Sequence, residues 1–318
     1  MASLSITRRR LACAVVAGLL GCVCSDAIAR TADILWRNTK TGENAIWKRG
    51  DYRVRQPVAA APINWEVVGT ARSSFNGAVN VIWRNKVDGR AAAWPGAEAE
   101  YGFVLPRDRY KRWTFAGTGY FDTSTHLVDI LWRDVSGHNM IWRFGSTPTL
   151  LTTSLTTVTN MDWKVAGIGD FDGDMYSDIL WRNARTGANA MWSHGDARQA
   201  TAFGTMPPEW RVVGVGHFDG DDVTDVLWRN TINGRNVIWN MGLDDGTELM
   251  TVPSQSWTVA GVGDFNGDGR SDVLWRNTAN GRNVIWASGD AARPIPVATV
   301  ADQSWIVAAV TDLTPIYW

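Results

Sequence analysis

The 318-residue sequence contains very little cysteine, and none of it lies where it could brace the body of the chain. Its three cysteines, Cys13, Cys22 and Cys24, are all close to the N-terminus. They cannot form disulfides that hold the remaining residues together, even in an oxidising compartment. Some other constraint must therefore stabilise the fold.

The sequence also lacks the marks of nucleic-acid-binding proteins and of the common enzyme classes. Beyond residues 1–29 it has no basic run, so nucleic acid is not an expected partner. No G-x-S-x-G, H-E-x-x-H or P-loop motif is present. Glycoside hydrolysis needs two opposed free carboxylates, and no such pair stands out. We therefore predict that the protein is not an enzyme, with an enzyme of polysaccharide metabolism as the weakest alternative.

The first 29 residues have the layout of an export signal. Residues 8–10 are three arginines that precede an apolar stretch over residues 11–24, and Ala27-Ile28-Ala29 is a small-x-small cleavage site. An apolar stretch of about 14 residues is too short to span a bilayer as a lone helix. Paired arginines also resemble a twin-arginine signal. We predict a periplasmic or secreted protein without a transmembrane span in its mature chain.

Two other outcomes stay open for this segment. Leu19-Leu20-Gly21-Cys22 resembles a lipoprotein box, which would make the protein lipid-anchored through Cys22. The segment could also persist as an uncleaved anchor. Residues 30–318 are predicted to form a single domain in each case.

Tryptophan, in contrast, is abundant: there are 19 residues, and 18 of them recur in three series with a spacing of 47 to 50 residues. The first series is Trp65, Trp113, Trp163, Trp210, Trp257 and Trp305. The second series is Trp36, Trp83, Trp132, Trp181, Trp228 and Trp275. The third series is Trp47, Trp94, Trp142, Trp192, Trp239 and Trp286. Only Trp318 is left over, so nothing remains for a second, unrelated domain.

Each repeat has the pattern of four short strands. The clearest copy has WTVAGVGDF from Trp257, DVLWRN from Asp272, NVIW from Asn283 and PIPVATV from Pro294. Proline is tolerated on an outer strand, and pairs such as Asn280-Gly281 favour a tight hairpin because the turn needs positive φ. Four antiparallel strands in a repeat of about 47 residues are typical of a β-propeller blade.

The two ends of the chain predict how the ring closes. The repeats begin at a second strand, DILWRN from Asp33, and stop after one more first strand, WIVAAVTDL from Trp305. Joining these ends completes a sixth blade from one C-terminal and three N-terminal strands. Closure of this kind removes free sheet edges. The predicted fold is therefore an all-β, six-bladed propeller, and the rival is an open solenoid.

Two loops between the first and second strands carry oxygen ligands at the spacing of a calcium loop. Positions 1, 3, 5 and 9 are Asp170, Asp172, Asp174 and Asp178 in one loop, and Asp264, Asn266, Asp268 and Asp272 in the other. Several hard oxygen ligands in one turn are what Ca²⁺ requires. The match to the helix–loop–helix calcium motif stops early, because position 12 is tryptophan. The alternative is that these Asx- and Gly-rich loops are turns without metal.

These loops, GDFDGD and GDFNGDG, resemble the FG-GAP or VCBS repeats of integrin α-subunit propellers and of many exported bacterial proteins. The resemblance covers residues 33–313. It implies a β-propeller in which the eight loop residues bind calcium in a structural role. This chain departs from the integrin repeats where those continue into a Gly-Ala-Pro run, since it has Trp-Arg-Asn instead.

The remaining loops are degenerate. One has His217 at position 1, a poor ligand for a hard cation, but it keeps Asp219, Asp221 and Asp225 as a weaker predicted site. In another loop an extra residue separates Tyr120, Asp122, Ser124 and Asp129. No calcium site is expected from Arg72, Ser74, Asn76 and Asn80, and the closing blade offers little besides Asp312 and Asp33.

An arginine follows every tryptophan of the second series, and an asparagine comes next in five of the six repeats. In a structural interpretation, each arginine packs over a neighbouring tryptophan, worth about 0.5–2 kcal/mol, and the asparagine caps the hairpin. In a functional interpretation, the tryptophan side chains stack on the sugar rings of a ligand, and the arginine and asparagine side chains supply hydrogen bonds to it. Because the motif recurs in every blade, the structural interpretation is favoured. The ligand-binding candidates are Trp181, Arg182, Asn183, Trp228, Arg229, Asn230, Trp275, Arg276 and Asn277.

The sequence thus predicts an exported, non-catalytic propeller that binds calcium and acts as a recognition module. We expect a carbohydrate or glycoconjugate ligand. The alternative is a protein–protein interaction scaffold at the cell envelope. The protein is expected to be a monomer.

Overall fold

The computed structural model describes residues 31–72, 79–105, 113–121, 129–144, 150–241 and 245–313. The export signal predicted for residues 1–29, including Cys22, lies outside these ranges. So do Ser74, Asn76, Asp122 and Ser124 of the degenerate loops. Within the described ranges, no helix has the length and apolar character needed to cross a membrane.

The described residues form six antiparallel sheets of four strands each, arranged as the blades of a ring. The N-terminal end supplies β1 (Asp33–Asn38), β2 (Asn44–Trp47) and β3 (Arg55–Val58). Blade 1 contains β4 (Trp65–Arg72), β5 (Val79–Asn85), β6 (Ala91–Pro95) and β7 (Phe103–Val104). Blade 2 contains β8 (Trp113–Gly119), β9 (Asp129–Asp134), β10 (Asn139–Phe144) and β11 (Leu150–Leu155). Blade 3 contains β12 (Trp163–Gly169), β13 (Asp178–Asn183), β14 (Ala188–Trp192) and β15 (Ala200–Thr205).

The second half of the ring continues in the same order. Blade 4 contains β16 (Trp210–Gly216), β17 (Asp225–Asn230), β18 (Asn236–Asn240) and β19 (Asp245–Leu249). Blade 5 contains β20 (Trp257–Gly263), β21 (Asp272–Asn277), β22 (Asn283–Trp286) and β23 (Pro294–Val297), and the last strand is β24 (Trp305–Thr311). Short 3₁₀ turns occur at Lys48–Gly50, Ala99–Tyr101, Ser193–Gly195, Ala197–Gln199 and Ala287–Gly289.

The last strand closes the ring. β24 pairs with β1 in antiparallel register from Asp33↔Thr311 to Asn38↔Trp305, so the closing blade consists of β24, β1, β2 and β3. The predicted six-bladed propeller is confirmed, and the open solenoid is wrong. The first strands of neighbouring blades contact one another around the axis, which makes them the innermost strands.

Burial follows the position of each strand in its blade. All six residues of second strands such as β13 and β21 are buried, because blades pack against both of their faces. The outer strands are largely exposed, and β23 accommodates both of its prolines there.

The residue after each Trp-Arg pair, an asparagine in five blades and Asp134 in blade 2, caps the hairpin between the second and third strands. In blade 5, Asn277 Oδ1 accepts hydrogen bonds from the backbone N–H groups of Ala279 and Asn280, at 3.0 and 3.2 Å. Gly281 has φ of 74°, and a Cβ at this position would lie 1.9 Å from the Val300 carbonyl oxygen. The hairpin therefore needs glycine at position 281, because the backbone of Val300 lies too close for a side chain. The cap of the hairpin comes from Asn277 and not from the Asn280-Gly281 pair.

Stacking between arginine and tryptophan joins every blade to the next. The guanidinium carbon of each arginine lies 4.8 to 5.1 Å from the centroid of a tryptophan ring in the following blade. The pairs are Arg37–Trp83, Arg84–Trp132, Arg133–Trp181, Arg182–Trp228, Arg229–Trp275 and Arg276–Trp36. The last pair crosses the seam where the chain ends meet.

The same arginines bind the backbone that links one blade to the next. Arg229 donates to the carbonyl oxygens of Gly234 and Val252 at 3.2 and 2.9 Å, and to Asn236 Oδ1 at 3.0 Å. Its side chain is buried, so these acceptors depend on it rather than on water. Each arginine is thus a polar anchor for the hairpin, for the connecting segment and for the next blade.

We expect Arg229→Ala to lower the free energy of unfolding by about 3 kcal/mol, because it removes the stacking on Trp275 and leaves buried carbonyl oxygens unpaired. Arg235→Ala is the matched control. Arg235 also lies over a tryptophan, 5.8 Å from the Trp210 centroid, but it is 48% exposed. Urea unfolding of both variants measures the difference in the free energy of unfolding. Equal, small losses in the two variants would show that the buried arginines do not hold the blades together.

Candidate metal centre

The acidic loops connect the first strand of a blade to the second, at the end of the blade where the first strand finishes. They cover residues 170–177 in blade 3, 217–224 in blade 4 and 264–271 in blade 5. Because the repeat places the same loop in three consecutive blades, their geometries can be compared position by position.

The three loops share one backbone conformation. Position 4 is a glycine with positive φ in each loop: Gly173 at 80°, Gly220 at 81° and Gly267 at 82°. Position 6 also has positive φ, although it is Met175 (73°), Asp222 (68°) or Gly269 (81°). A non-glycine side chain in this region is strained. The fold therefore imposes this loop shape even where the local sequence does not favour it.

The loop of blade 3 brings three carboxylates together. One oxygen each from Asp170, Asp172 and Asp174 can be chosen so that all lie within 4.8 Å of one another. Asp170 also accepts backbone N–H bonds across the loop, from Gly173 and Met175 at 2.7 Å each. Clustered carboxylates on a tight turn suit a hard cation such as Ca²⁺.

The aspartate at position 9 has a second role that the sequence interpretation missed. Asp178 is buried, and its two oxygens accept N–H bonds from Phe171 at 2.9 Å and from His194 at 3.0 Å. It therefore ties the acidic loop to the 3₁₀ turn after the third strand. Asp225 and Asp272 make the equivalent pairs of bonds.

The closing blade shows that this role does not need a metal loop. Asp33 accepts N–H bonds from Leu313 at 3.1 Å and from Arg49 at 3.0 Å, yet no acidic loop precedes it. The persistence of Asp33 and Asp129 beside degenerate loops was the signal in the sequence for this structural role. We call the aspartates at position 9 that join the two segments in this way the clamp aspartates: Asp33, Asp178, Asp225 and Asp272. A clamp aspartate is a candidate metal ligand only where the loop before it is acidic.

The clamp carboxylates are held in an environment that disfavours their charge. Burial raises the pKa of Asp178 to about 6, and the nearby Asp172 and Asp174 charges act in the same direction. Burial likewise raises the pKa values of Asp225 and Asp272. A bound cation would offset this cost, because opposite charge favours the ionised carboxylate.

The loops of blades 4 and 5 differ in their ligand sets. In blade 4, oxygens of Asp219, Asp221 and Asp225 lie within 4.8 Å of one another, as in blade 3. His217 turns toward its own loop, with Nδ1 3.1 Å from the Val223 carbonyl oxygen. Blade 4 therefore presents a cluster of three carboxylates within the same distance limit as that of blade 3.

In blade 5, Asp264 accepts backbone N–H bonds from Gly267 at 2.6 Å and Gly269 at 2.9 Å. The Asn266 side chain lies 3.1 Å from Asp268 Oδ2. An amide replaces one carboxylate, so this loop carries less negative charge than the loop of blade 3. Among the described residues, Asp264, Asp268 and Asp272 do not form a cluster within 4.8 Å like those of blades 3 and 4.

The candidate ligand-binding residues of the Trp-Arg-Asn rows lie inside the ring. Each is at most 6% exposed: Trp181, Arg182, Asn183, Trp228, Arg229, Asn230, Trp275, Arg276 and Asn277. The tryptophans are covered on one side by the preceding arginine and packed against a third-series tryptophan, with ring centroids 4.9 Å apart in blades 3 to 5. A ligand could reach these rings only if the blades separated, so we assign the rows to the core.

Open clefts lie between neighbouring blades. One, of about 520 Å³ between blades 1 and 2, is lined by Trp113, Arg84 and Lys86. A second, of about 770 Å³ between blade 5 and the closing blade, is lined by Tyr52, Arg49 and Asn266 among others. A third, of about 440 Å³ between blades 2 and 3, has no Trp, Tyr or Phe in its lining.

Comparison with known proteins agrees with this geometry. Residues 256–290, which contain the acidic loop of blade 5, match the FG-GAP repeat model. The chain is a β-propeller, and this blade carries a segment similar to an FG-GAP repeat. No curated protein matches it significantly. Propellers with FG-GAP repeats are typically non-catalytic interaction modules.

Two crystal structures share the fold. A chain from a nidogen–laminin complex is 10% identical, with a TM-score of 0.57 over 88% of this chain and 97% of that one. A protein of unknown function from Bacteroides caccae is also 10% identical, with a TM-score of 0.53 over 88% of this chain and 98% of its own. At this identity the likeness shows the fold alone.

If the loops bind calcium, chelation should lower the melting temperature, and calcium should restore it better than magnesium. A ligand that binds only the folded state stabilises it by about 2.7 kcal/mol at a hundredfold excess over its dissociation constant, expected near 10⁻⁴–10⁻³ M. Asp268→Ala should weaken this response, whereas Asp162→Ala, which removes an exposed carboxylate paired with Arg185, should not. An unchanged melting temperature after verified metal removal would show that the loops are simple turns.

The raised pKa of Asp178 predicts how metal-free protein responds to pH. Its folded pKa of about 6 exceeds the unfolded value of about 3.9, so the native state binds more protons between these values. This contribution therefore makes stability fall as pH rises from about 4 to 6. Denaturant unfolding at pH 5 and 7 should show the fall in wild type and a smaller one in Asp178→Asn. Saturating calcium should reduce it; an identical pH dependence in both proteins would contradict the assignment.

Proposed function

We propose that this protein is an exported, non-catalytic recognition propeller, stabilised by calcium, whose ligand is a carbohydrate or glycoconjugate. The observation that supports recognition is the composition of the clefts between blades. Two of them combine an aromatic ring with charged or amide side chains, near Trp113 and near Tyr52. Aromatic faces stack on sugar rings, and guanidinium or amide groups supply directed hydrogen bonds.

Calcium has a structural role in this proposal. The acidic loops bond to their own backbone and, through the clamp aspartates, to the turns that follow the third strands of their blades. A cation held at Asp170, Asp172, Asp174 and Asp178, or at the equivalent residues of blades 4 and 5, would fix these turns. The ion is assigned no part in a reaction.

One feature favours the alternative, a protein–protein interaction scaffold at the cell envelope. The outer edge of blade 1 exposes Tyr101, Phe103 and Val104 by 45%, 47% and 68%. Its outer strand, β7, has only two residues, so it pairs with only Ala92 and Ala93 on the outer edge of β6. Exposed apolar side chains on a sheet edge suit strand addition by an extended peptide.

A glycan array probed with calcium-loaded protein tests the proposal directly. We expect binding to a chemically related set of glycans, abolished by the free glycan in solution. Chelation should weaken the signal only to the extent that it destabilises the fold, which parallel melting curves would report. A folded, calcium-loaded protein that binds no glycan would refute the carbohydrate proposal and leave the protein scaffold as the better account.

A further inference from the structure

The cleft between blade 5 and the closing blade departs from the repeat in a way that points to its ligand. One wall is the turn of residues 48–54 in the closing blade. The other wall comes from blade 5, where residues 295–298 of the outer edge and Phe265 and Asn266 of the acidic loop line the cleft. The two walls come from opposite ends of the chain and meet at the seam of the ring.

Three blades share the turn that forms the first wall, so its side chains can be compared directly. The second residue after the third-series tryptophan has left-handed backbone in each: Arg49 (φ 53°), His194 (φ 54°) and Ser288 (φ 50°). Its N–H group bonds to the clamp aspartate of its own blade in all three cases. The backbone is therefore common to the three turns, and the side chains that differ are not required by it.

Tyr52 is the first such difference. The equivalent residues of blades 3 and 5 are Ala197 and Ala291. Tyr52 is 55% exposed, and its ring packs edge-on against Trp47 with centroids 6.1 Å apart. An aromatic ring that is braced by another ring and remains open on the cleft provides a stacking surface at small entropic cost.

Charge is the second difference. The cleft lining contains Lys48, Arg49 and Arg53 against a single acid, Asp51, for a formal balance of +2. Lys48 is paired with Asp33 at 2.8 Å, and Arg53 is paired with Asp51 at 2.8 Å. The exposed Arg49 guanidinium makes no hydrogen bond or ion pair with any described residue. It is therefore available to a ligand, and its planar fork matches a carboxylate.

We propose that this cleft binds an acidic saccharide, one that carries a carboxylate, with a sugar ring stacked on Tyr52 and the carboxylate paired with Arg49. This inference rests on the proposed carbohydrate function and names its ligand class. The equivalent cleft between blades 2 and 3 does not share these features. Its turn has Ala197 in place of Tyr52, and His194 in place of Arg49 is engaged with Asp174.

The double variant Arg49→Ser, Tyr52→Ala tests the proposal without disturbing the fold. It installs the side chains that blade 5 already carries at the same turn, Ser288 and Ala291, so its melting temperature should match that of wild type. The probes are uronate oligomers of glucose, galactose and mannose type and neutral oligomers of the same sugars and length. Titration calorimetry at fixed calcium would measure their affinities.

We expect wild type to bind at least one uronate oligomer about tenfold or more tightly than its neutral counterpart, and the double variant to lose about tenfold in that affinity. Added salt should weaken the binding, because the ion pair is exposed to solvent. The matched control is Arg198→Ala in the turn of blade 3, where Arg198 pairs with Asp196 as Arg53 pairs with Asp51; it should bind as wild type does.

The outcomes separate this inference from the function on which it rests. Equal affinity for neutral and acidic oligomers, or undiminished binding by a folded double variant, would overturn the assignment of this cleft while leaving a carbohydrate ligand in place. Failure of every saccharide, on the array and in calorimetry, would overturn both.

Discussion

The stack of an arginine on the tryptophan of the next blade is the contact on which the rest of the structure depends. It recurs at all six blade boundaries, and the distance from the guanidinium carbon to the ring centroid is always between 4.8 and 5.1 Å. At the seam, Arg276 of blade 5 covers Trp36 of the closing blade. No disulfide is available to the described residues, so closure relies on this contact and on the pairing of β24 with β1. The Trp-Arg-Asn rows occupy the core, so any ligand would have to contact other residues.

A second, smaller constraint shapes the face that carries the acidic loops. The clamp aspartates join each loop to the turn after the third strand through two backbone N–H bonds. Burying a carboxylate is costly unless it is well bonded, and a nearby cation would lower that cost further. The same carboxylate position therefore serves the fold in the closing blade and, where its neighbours are acidic, would also suit a cation.

Much of the fold was predictable because its determinants are local and repeated: tryptophan spacing, glycine turns and the strand left over at each end. The acidic loops were predictable for the same reason. The dual role of Asp178 was not, because the N–H groups of Phe171 and His194 converge on it only after the blade folds. The cleft beside Tyr52 and Asn266 was not predictable either, since its two walls meet only when the ring closes.

The central claim is that the repeated arginine–tryptophan contact holds the blades together, and a double-mutant cycle at the seam tests it most directly. The free energies of unfolding of wild type, Arg276→Met, Trp36→Leu and the double variant give the coupling between the two side chains. We predict a favourable coupling of about 0.5–2 kcal/mol. Strictly additive losses, with no coupling beyond the roughly 0.3–0.5 kcal/mol seen for independent sites, would contradict the claim.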